Sequence, residues 1–136
     1  MRRAAGRCAL AALCVAAGAQ AHHSFAMFDN SKTVTLTGTV YKFEWSNPHV
    51  WLWLSVPGAA GASTVWGLES GAPTQLEREG LKWDSFKSGD AITVTLRPMK
   101  NGEPGGRLMG ATFADGRQFR SQDPNLFAAP PGTPAP

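Results

Sequence analysis

The chain has 136 residues, 43% of them hydrophobic, and its 13 basic and 10 acidic residues give a formal charge of +3. This length accommodates one domain with a modest core. Three of the basic residues lie within the first seven positions, so the basic excess is confined to the amino terminus and gives no support to nucleic-acid binding.

The first 21 residues have the order of a secretory signal peptide. Three arginines precede an apolar run from Cys8 to Ala17, and Ala19-Gln20-Ala21 supplies the small residues of a cleavage site. Cleavage after Ala21 leaves 115 residues that begin at His22, have a formal charge of zero and contain no cysteine. We therefore predict export to the periplasm, with no disulfide and no transmembrane segment in the mature protein.

Alternating apolar residues predict strands in the first half of a folded domain over residues 33–120. The first strand, residues 33–45, changes its apolar phase near Gly38–Tyr41, as a bulged and strongly coiled strand does. The turn Ser46-Asn47-Pro48 leads into a second strand, His49–Val56. Its two faces alternate strictly, with Val50, Leu52 and Leu54 on one side and His49, Trp51 and Trp53 on the other.

The second half of the domain adds a short helix and further strands. After a third strand at Ser63–Glu69, the residues Thr74-Gln75-Leu76-Glu77 match a helix capping box, and Gly80 is a suitable stop. Strands follow over three ranges, the last after an Asp115-Gly116 hairpin: Ala91–Arg97, Arg107–Phe113 and Arg117–Arg120. This order predicts a small OB-fold-like barrel of five to six strands with one short helix between strands three and four. An open β-sandwich is the alternative, since order along the chain does not fix strand pairing.

Two flanking segments are expected outside the barrel. Residues 22–32 form an amino-terminal arm, and residues 121–136 form a tail that contains five prolines. Such a composition buries too little apolar surface to offset chain entropy, so the tail is predicted to be disordered.

The three histidines of the chain, His22, His23 and His49, form a candidate metal site. After cleavage, the α-amine and ring of His22 would chelate Cu(II), and His49 would add a third nitrogen, as in a histidine brace. His23 offers another chelate with the terminal amine, and Glu44 is the acid expected to orient the His49 ring. The alternative is that His22 and His23 are polar residues of a frayed terminus and that His49 caps the Asn47-Pro48 turn.

A second candidate site, for a small ligand or an unidentified periplasmic protein, is formed by tryptophans near the first turn: Trp45, Trp51 and Trp53. Large aromatic side chains exposed together mark a surface that something covers. That cover is either a partner or the chain itself, through Phe25–Phe28 or through the short helix with Trp83 and Phe86.

No catalytic residues are predicted. The mature chain has no thiol nucleophile, no glycine-rich phosphate loop and no H-E-x-x-H motif. OB folds often bind nucleic acid, and Trp51 and Trp53 lie where such folds stack bases. A mature charge of zero and an exported location argue against that partner. We therefore expect a binding module rather than an enzyme.

Five stretches of the chain carry a resemblance to a known family. They are Ala21-His22-His23-Ser24-Phe25, Leu36-Thr37-Gly38-Thr39-Val40, Glu44–Trp51 with its W-x-N-P-H motif, Gly71–Gly80, and Ser88-Gly89-Asp90. Together they resemble a family of small exported proteins from Gram-negative bacteria that is catalogued as a domain of unknown function. The resemblance covers nearly all of the mature chain except its proline-rich tail. It implies an exported β-barrel-like domain without an assigned activity, and it brings no functional residues.

Overall fold

Alternating apolar side chains build six strands: β1 (Val34–Glu44), β2 (Trp51–Pro57), β3 (Ser63–Glu69), β4 (Ala91–Pro98), β5 (Gly105–Phe113) and β6 (Gln118–Arg120). This computed structural model describes residues 24–127. It also contains two short α-helices, α1 (Pro73–Arg78) and α2 (Pro124–Phe127), and two 3-10 helices, Ser24–Met27 and Ala59–Gly61. The predicted signal peptide, His22, His23 and residues 128–136 lie outside the described residues. None of the helices within 24–127 is long and apolar enough to cross a membrane.

The strands form one sheet in the order β3-β2-β1-β4-β5-β6, and a further pairing joins β3 to β5. That pairing is parallel and closes a five-stranded barrel, whereas β1 runs antiparallel to both β2 and β4. β6 adds to the outer edge of β5. The predicted OB-fold-like barrel of five to six strands is confirmed, and closure excludes the open sandwich.

β1 serves both sides of the barrel because it is bent. Residues 34–39 pair with β4, and residues 39–44 pair with β2. The register with β2 slips between Val40 and Lys42, which leaves Tyr41 unpaired there and 63% exposed. Gly38 allows the close approach, because a Cβ at this position would overlap the carbonyl oxygen of Ser55. The phase change predicted near residues 38–41 is therefore a β-bulge.

The inward face of β2 forms the centre of the core. Val50 and the next two inward residues, Leu52 and Leu54, have no exposed surface, while Trp51 and Trp53 lie outward as predicted. Phe86 packs between β1 and β5, with its ring 5.0 Å from that of Phe43 and 4.9 Å from that of Phe113. Burial of these side chains supplies the main driving force for folding, since residues 24–127 contain no cysteine.

The start of α1 differs from the prediction and its end agrees. Ala72 is the N-cap residue, Pro73 follows at the start of the helix, and no side chain caps it. The predicted capping box at residues 74–77 is therefore wrong, because Pro73, with its fixed φ and missing N–H, already suits the first helical position. Gly80 follows the helix with a φ of +93°, as a C-terminal stop requires.

Residues 121–127 belong to the folded part of the chain, so the predicted domain end at Arg120 is too early. Leu126 is buried, and its carbonyl oxygen accepts two hydrogen bonds from the Arg97 guanidinium, at 2.9 and 3.2 Å. Asp123 is also buried and pairs with Arg107. Proline content was misleading because Pro124 stands at the first position of α2, where proline is favoured.

Candidate functional site

His49 lies at the rim of the barrel, two residues before β2 begins. The loop before it contains a cis peptide bond between Asn47 and Pro48. The Ser46 hydroxyl donates a hydrogen bond to the carbonyl oxygen of His49, at 3.1 Å. Because Val50 is fully buried, the preceding side chain lies outward, and that of His49 is 32% exposed. The ring is thus held in place and remains accessible from solvent.

A buried carboxylate lies against this ring. Nδ1 of His49 lies 2.5 Å from Oε1 of Glu69, whose side chain is only 4% exposed. Glu69 ends β3, and in the antiparallel register it lies opposite Trp51 of β2. Burial raises the pKa of Glu69, and the charges of His49 and Arg107 act against this rise. Since Nδ1 is engaged, Nε2 is the nitrogen that remains for a further ligand.

Glu44, the acid expected to orient His49, has another partner. Its carboxylate accepts a hydrogen bond from the Lys42 ammonium group at 2.9 Å. This contact with Lys42 lowers the pKa of Glu44. The expectation for Glu44 is therefore wrong, because β3 brings Glu69 against the ring from a distant part of the sequence.

Arg107 lies next to this pair and connects the two ends of the described chain. It stands opposite Glu69 in the parallel register of β3 and β5, and its side chain is buried. Its Nη2 donates to Oδ2 of Asp123 at 2.5 Å. The ring of Phe25 covers the guanidinium, with 4.0 Å between Cζ and the ring centroid. Within residues 24–127, Nε and Nη1 are buried and have no hydrogen-bond partner.

The strand pairings bring these side chains into one cleft of about 480 Å³. Its wall includes one aromatic ring and several polar side chains: Phe25, His49, Gln75, Glu79, Arg107 and Asp123. Phe25 is two residues after His23 in the sequence, so the arm reaches the same cleft as His49. No group of three or more histidine, aspartate, glutamate or cysteine residues within 24–127 is arranged to hold a metal ion.

Backbone contacts anchor the arm to the end of β4. Phe28 is buried and forms a bridge with Met99. The N–H of Asp29 donates to the carbonyl oxygen of Pro98 at 2.8 Å, and the N–H of Lys100 donates to that of Met27 at 2.9 Å. The arm is therefore attached to the barrel at residues 27–29, close to Phe25, which lines the cleft.

The tryptophans predicted to share a surface lie in two environments. Trp51 and Trp53 stack on the outer face of β2, with ring centroids 5.7 Å apart and an interplanar angle of 20°. They line a groove of about 470 Å³ together with Glu44 and residues 46–49. Trp45 instead packs against the core, edge-on to Phe43 at 5.8 Å. His49 borders both this groove and the cleft.

The segments considered as a cover for these tryptophans lie elsewhere. Phe28 packs on Met99, and Phe86 belongs to the core. Trp83 is 71% exposed and does not line the groove. Among the described residues, therefore, neither Phe25–Phe28 nor the region around residues 83–86 closes the groove.

Comparison with known proteins adds a family and one weak structural likeness. Residues 10–108 match the model described as "Family of unknown function (DUF6152)", which confirms the expected domain of unknown function. No curated protein matches the chain. The chain is similar to the mitochondrial single-stranded DNA-binding protein Rim1 of S. cerevisiae, at 7% identity and a TM-score of 0.45, over 63% of this chain and 97% of that one. A likeness at this level carries no argument about function.

Proposed function

The chain belongs to the family of unknown function DUF6152, and we propose that this small β-barrel is an exported copper-binding domain. The ligands are the α-amine and ring of an amino-terminal His22 together with Nε2 of His49, and His23 is the alternative chelating residue. The observation that carries the proposal is the oriented ring of His49 in the cleft that Phe25, two residues after His23, also lines.

The chemistry of these donors favours copper. An amine and two imidazoles form an all-nitrogen set, which suits Cu(II), and Cu(II) leads the affinity series of the divalent first-row metals. A carboxylate bound to the other ring nitrogen of a histidine is a common arrangement around metal ligands, because it fixes the ring and raises its basicity. Glu69 provides that contact to His49.

The anchored arm supports a terminal ligand. Phe25 stacks on Arg107, and Met27 is hydrogen-bonded to Lys100. From Phe25 back to His22 is three residues, which extend over at most about 10 Å. The distance from the anchored part of the arm to its proposed metal-binding residue is thus short. Ordering the terminus then costs little entropy on metal binding.

The charges in the cleft also support a cation. Three carboxylates, those of Glu69, Glu79 and Asp123, lie in or beside the cleft, and Arg107 is the basic residue on its wall. Asp123 already neutralises Arg107. The remaining acidic groups favour a positively charged ligand beside His49.

Export is part of the proposal, because only signal cleavage produces the terminal amine. The support is the order of residues 1–21, with basic residues, an apolar run and Ala19-Gln20-Ala21. An uncleaved chain has its amine 21 residues away from His22. Copper binding at this site therefore requires removal of the signal peptide. The periplasm is the compartment in which the mature domain acts.

The test is a Cu(II) titration of protein that begins at His22, compared with the same protein acetylated on its terminal amine. We expect acetylation to weaken binding by more than about tenfold, because it removes the amine from the chelate. His49→Ala is expected to have a similar effect. Electron paramagnetic resonance should then show one fewer nitrogen ligand in each variant.

Gln122→Ala is the matched control, since Gln122 lies on the same cleft but is not a proposed ligand. It should bind copper as the unmodified protein does, and circular dichroism should show that all variants are folded. Equal affinities and equal spectra for the free and acetylated termini would refute the proposed site.

A further inference from the structure

The groove beside Trp51 and Trp53 is distinct from the proposed copper ligands, although His49 borders it. The two indoles stack nearly parallel on adjacent outward positions of β2. Trp53 lies directly over Gly67 of β3, where a Cβ would come within 2.8 Å of the indole atom Cζ3. The missing side chain at Gly67 therefore lets the indole rest on the backbone, which supports the stack from below.

Polar groups border this aromatic platform. The groove is lined by the Glu44 carboxylate, the Ser46 hydroxyl and the exposed side chain of Asn47. None of its lining residues within 24–127 is lysine or arginine, and the neighbouring Lys42 is paired with Glu44. A polyanion would find no free positive charge in the groove. The chemistry fits a neutral ligand that has a flat apolar face and several hydroxyl groups.

We propose that this groove binds a neutral sugar chain. One sugar ring stacks with its C–H face on Trp51, and its hydroxyl groups donate to the Glu44 carboxylate and to Asn47. Stacking on a rigid aromatic surface loses little conformational entropy, and polar groups at the edge fix the orientation of the ligand. The outer face of strands two and three is also where OB folds bind oligosaccharides.

A proline-rich peptide is the competing ligand for an aromatic groove. Such peptides dock on aromatic side chains and have backbone carbonyls that need a hydrogen-bond donor. The indole Nε1 of Trp53 is buried and has no hydrogen-bond partner within residues 24–127. Glu44 offers only acceptors when ionised. A run of prolines has no N–H to donate to Glu44, whereas sugar hydroxyl groups can donate to it, so this carboxylate favours a sugar over a proline-rich peptide.

The experiment measures binding of two neutral hexasaccharides, chitohexaose and cellohexaose, by calorimetry in the presence of a metal chelator. The chelator separates this site from copper binding, so that either proposal can fail alone. We expect at least one hexasaccharide to bind, and Trp51→Ala to weaken that binding about tenfold. Trp83→Ala is the matched control, because Trp83 is exposed away from the groove, and it should bind as the unmodified protein does.

Indole N–H resonances of the unmodified protein provide a readout that does not depend on the stability of a variant. The hexasaccharide should shift the signals of Trp51 and Trp53 and leave that of Trp83 unchanged. Binding of neither sugar at about 5 mM, or equal binding by the Trp51 and Trp83 variants, would overturn the proposal. A decamer of proline that binds with the same dependence on Trp51 would overturn it as well.

Discussion

Individual residues in the cleft illustrate what sequence reasoning found and what it missed. His49 was identifiable because it is one of three histidines and follows a turn motif. Glu69, Arg107 and Asp123 gave no comparable signal, because each is an ordinary charged residue in its local sequence. They come together only when β3 pairs with β5 and the segment after β6 folds back. A site of this kind depends on the closed barrel, which local patterns do not encode.

The buried pair between Arg107 and Asp123 is expected to contribute strongly to stability. Asp123→Asn removes one charge and leaves a buried guanidinium without its counterion, which costs about 3 kcal/mol in the free energy of unfolding. Asp115→Asn is the matched control, because the Asp115–Arg117 pair is largely exposed. The control should change stability far less, because water screens an exposed ion pair. Urea denaturation of both variants measures the difference, and equal effects would contradict this prediction.

Asp29 is expected to make stability depend on acid pH. Hydrogen bonds from Lys32 and Ser31 lower its pKa from 3.8 to about 2. A carboxyl group whose pKa falls on folding stabilises the protein above its unfolded pKa, and this stabilisation is lost as the pH falls through the folded value. Between pH 4 and 2, the unmodified protein should therefore lose more stability than Asp29→Asn does. Denaturation curves at several pH values test this, and parallel pH profiles would contradict it.

Among the secondary-structure elements, strands were predicted better than connections. β3 has the predicted bounds, and the alternation of β2 correctly separated its buried and outward residues. Buried and outward-facing side chains alternate along a strand, and this alternation leaves a clear period of two in the sequence. The start of α1 and the presence of α2 were missed, because proline marks the start of a helix as well as a turn or a flexible tail.

The bend in β1 gives a prediction about its glycine. Gly38→Ala should lower the free energy of unfolding by about 1–3 kcal/mol, because the new Cβ must displace the backbone of β2 at Ser55. Gly58→Ala is the control, since Gly58 has a φ of −117° and its nearest neighbour would lie 3.4 Å away. That variant should stay within about 0.5 kcal/mol of the unmodified protein. An unchanged free energy of unfolding for Gly38→Ala would contradict this prediction, since it would show that β2 can move away at Ser55 without loss.

At the level of the whole molecule, the order of elements predicted the barrel, but its closure could be established only from the structure. The order of three strands, one helix and further strands can be predicted from local sequence patterns. The parallel pairing of β3 with β5 joins residues far apart in sequence and depends on close packing at Gly67 and Gly105. The sequence alone therefore left the open β-sandwich as an alternative architecture, and the observed pairing of β3 with β5 excludes it.

Because the barrel is closed, we expect local stability to be higher in its central strands than in the edge strand β6 and in α2. Amide protons in β2 and β4 should exchange only through global unfolding, because most residues of these two strands are paired on both sides. Those in β6 and α2 should exchange faster through local opening, since β6 pairs only with β5. Native-state hydrogen exchange at increasing urea concentrations measures both groups. Equal exchange free energies for the two groups would contradict the prediction.

The shared contacts of Arg107 have a consequence for chain connectivity. Phe25 and Asp123 both touch one guanidinium, so the first and last parts of the described chain emerge side by side. A short linker from residue 127 to His22, with new ends opened between Asn101 and Gly102 in the exposed β4–β5 loop, would preserve every strand pairing. In this circular permutant the nitrogen of His22 becomes part of a peptide bond. The barrel and its tryptophan groove should persist while copper affinity falls, which would separate the fold from the proposed metal chemistry.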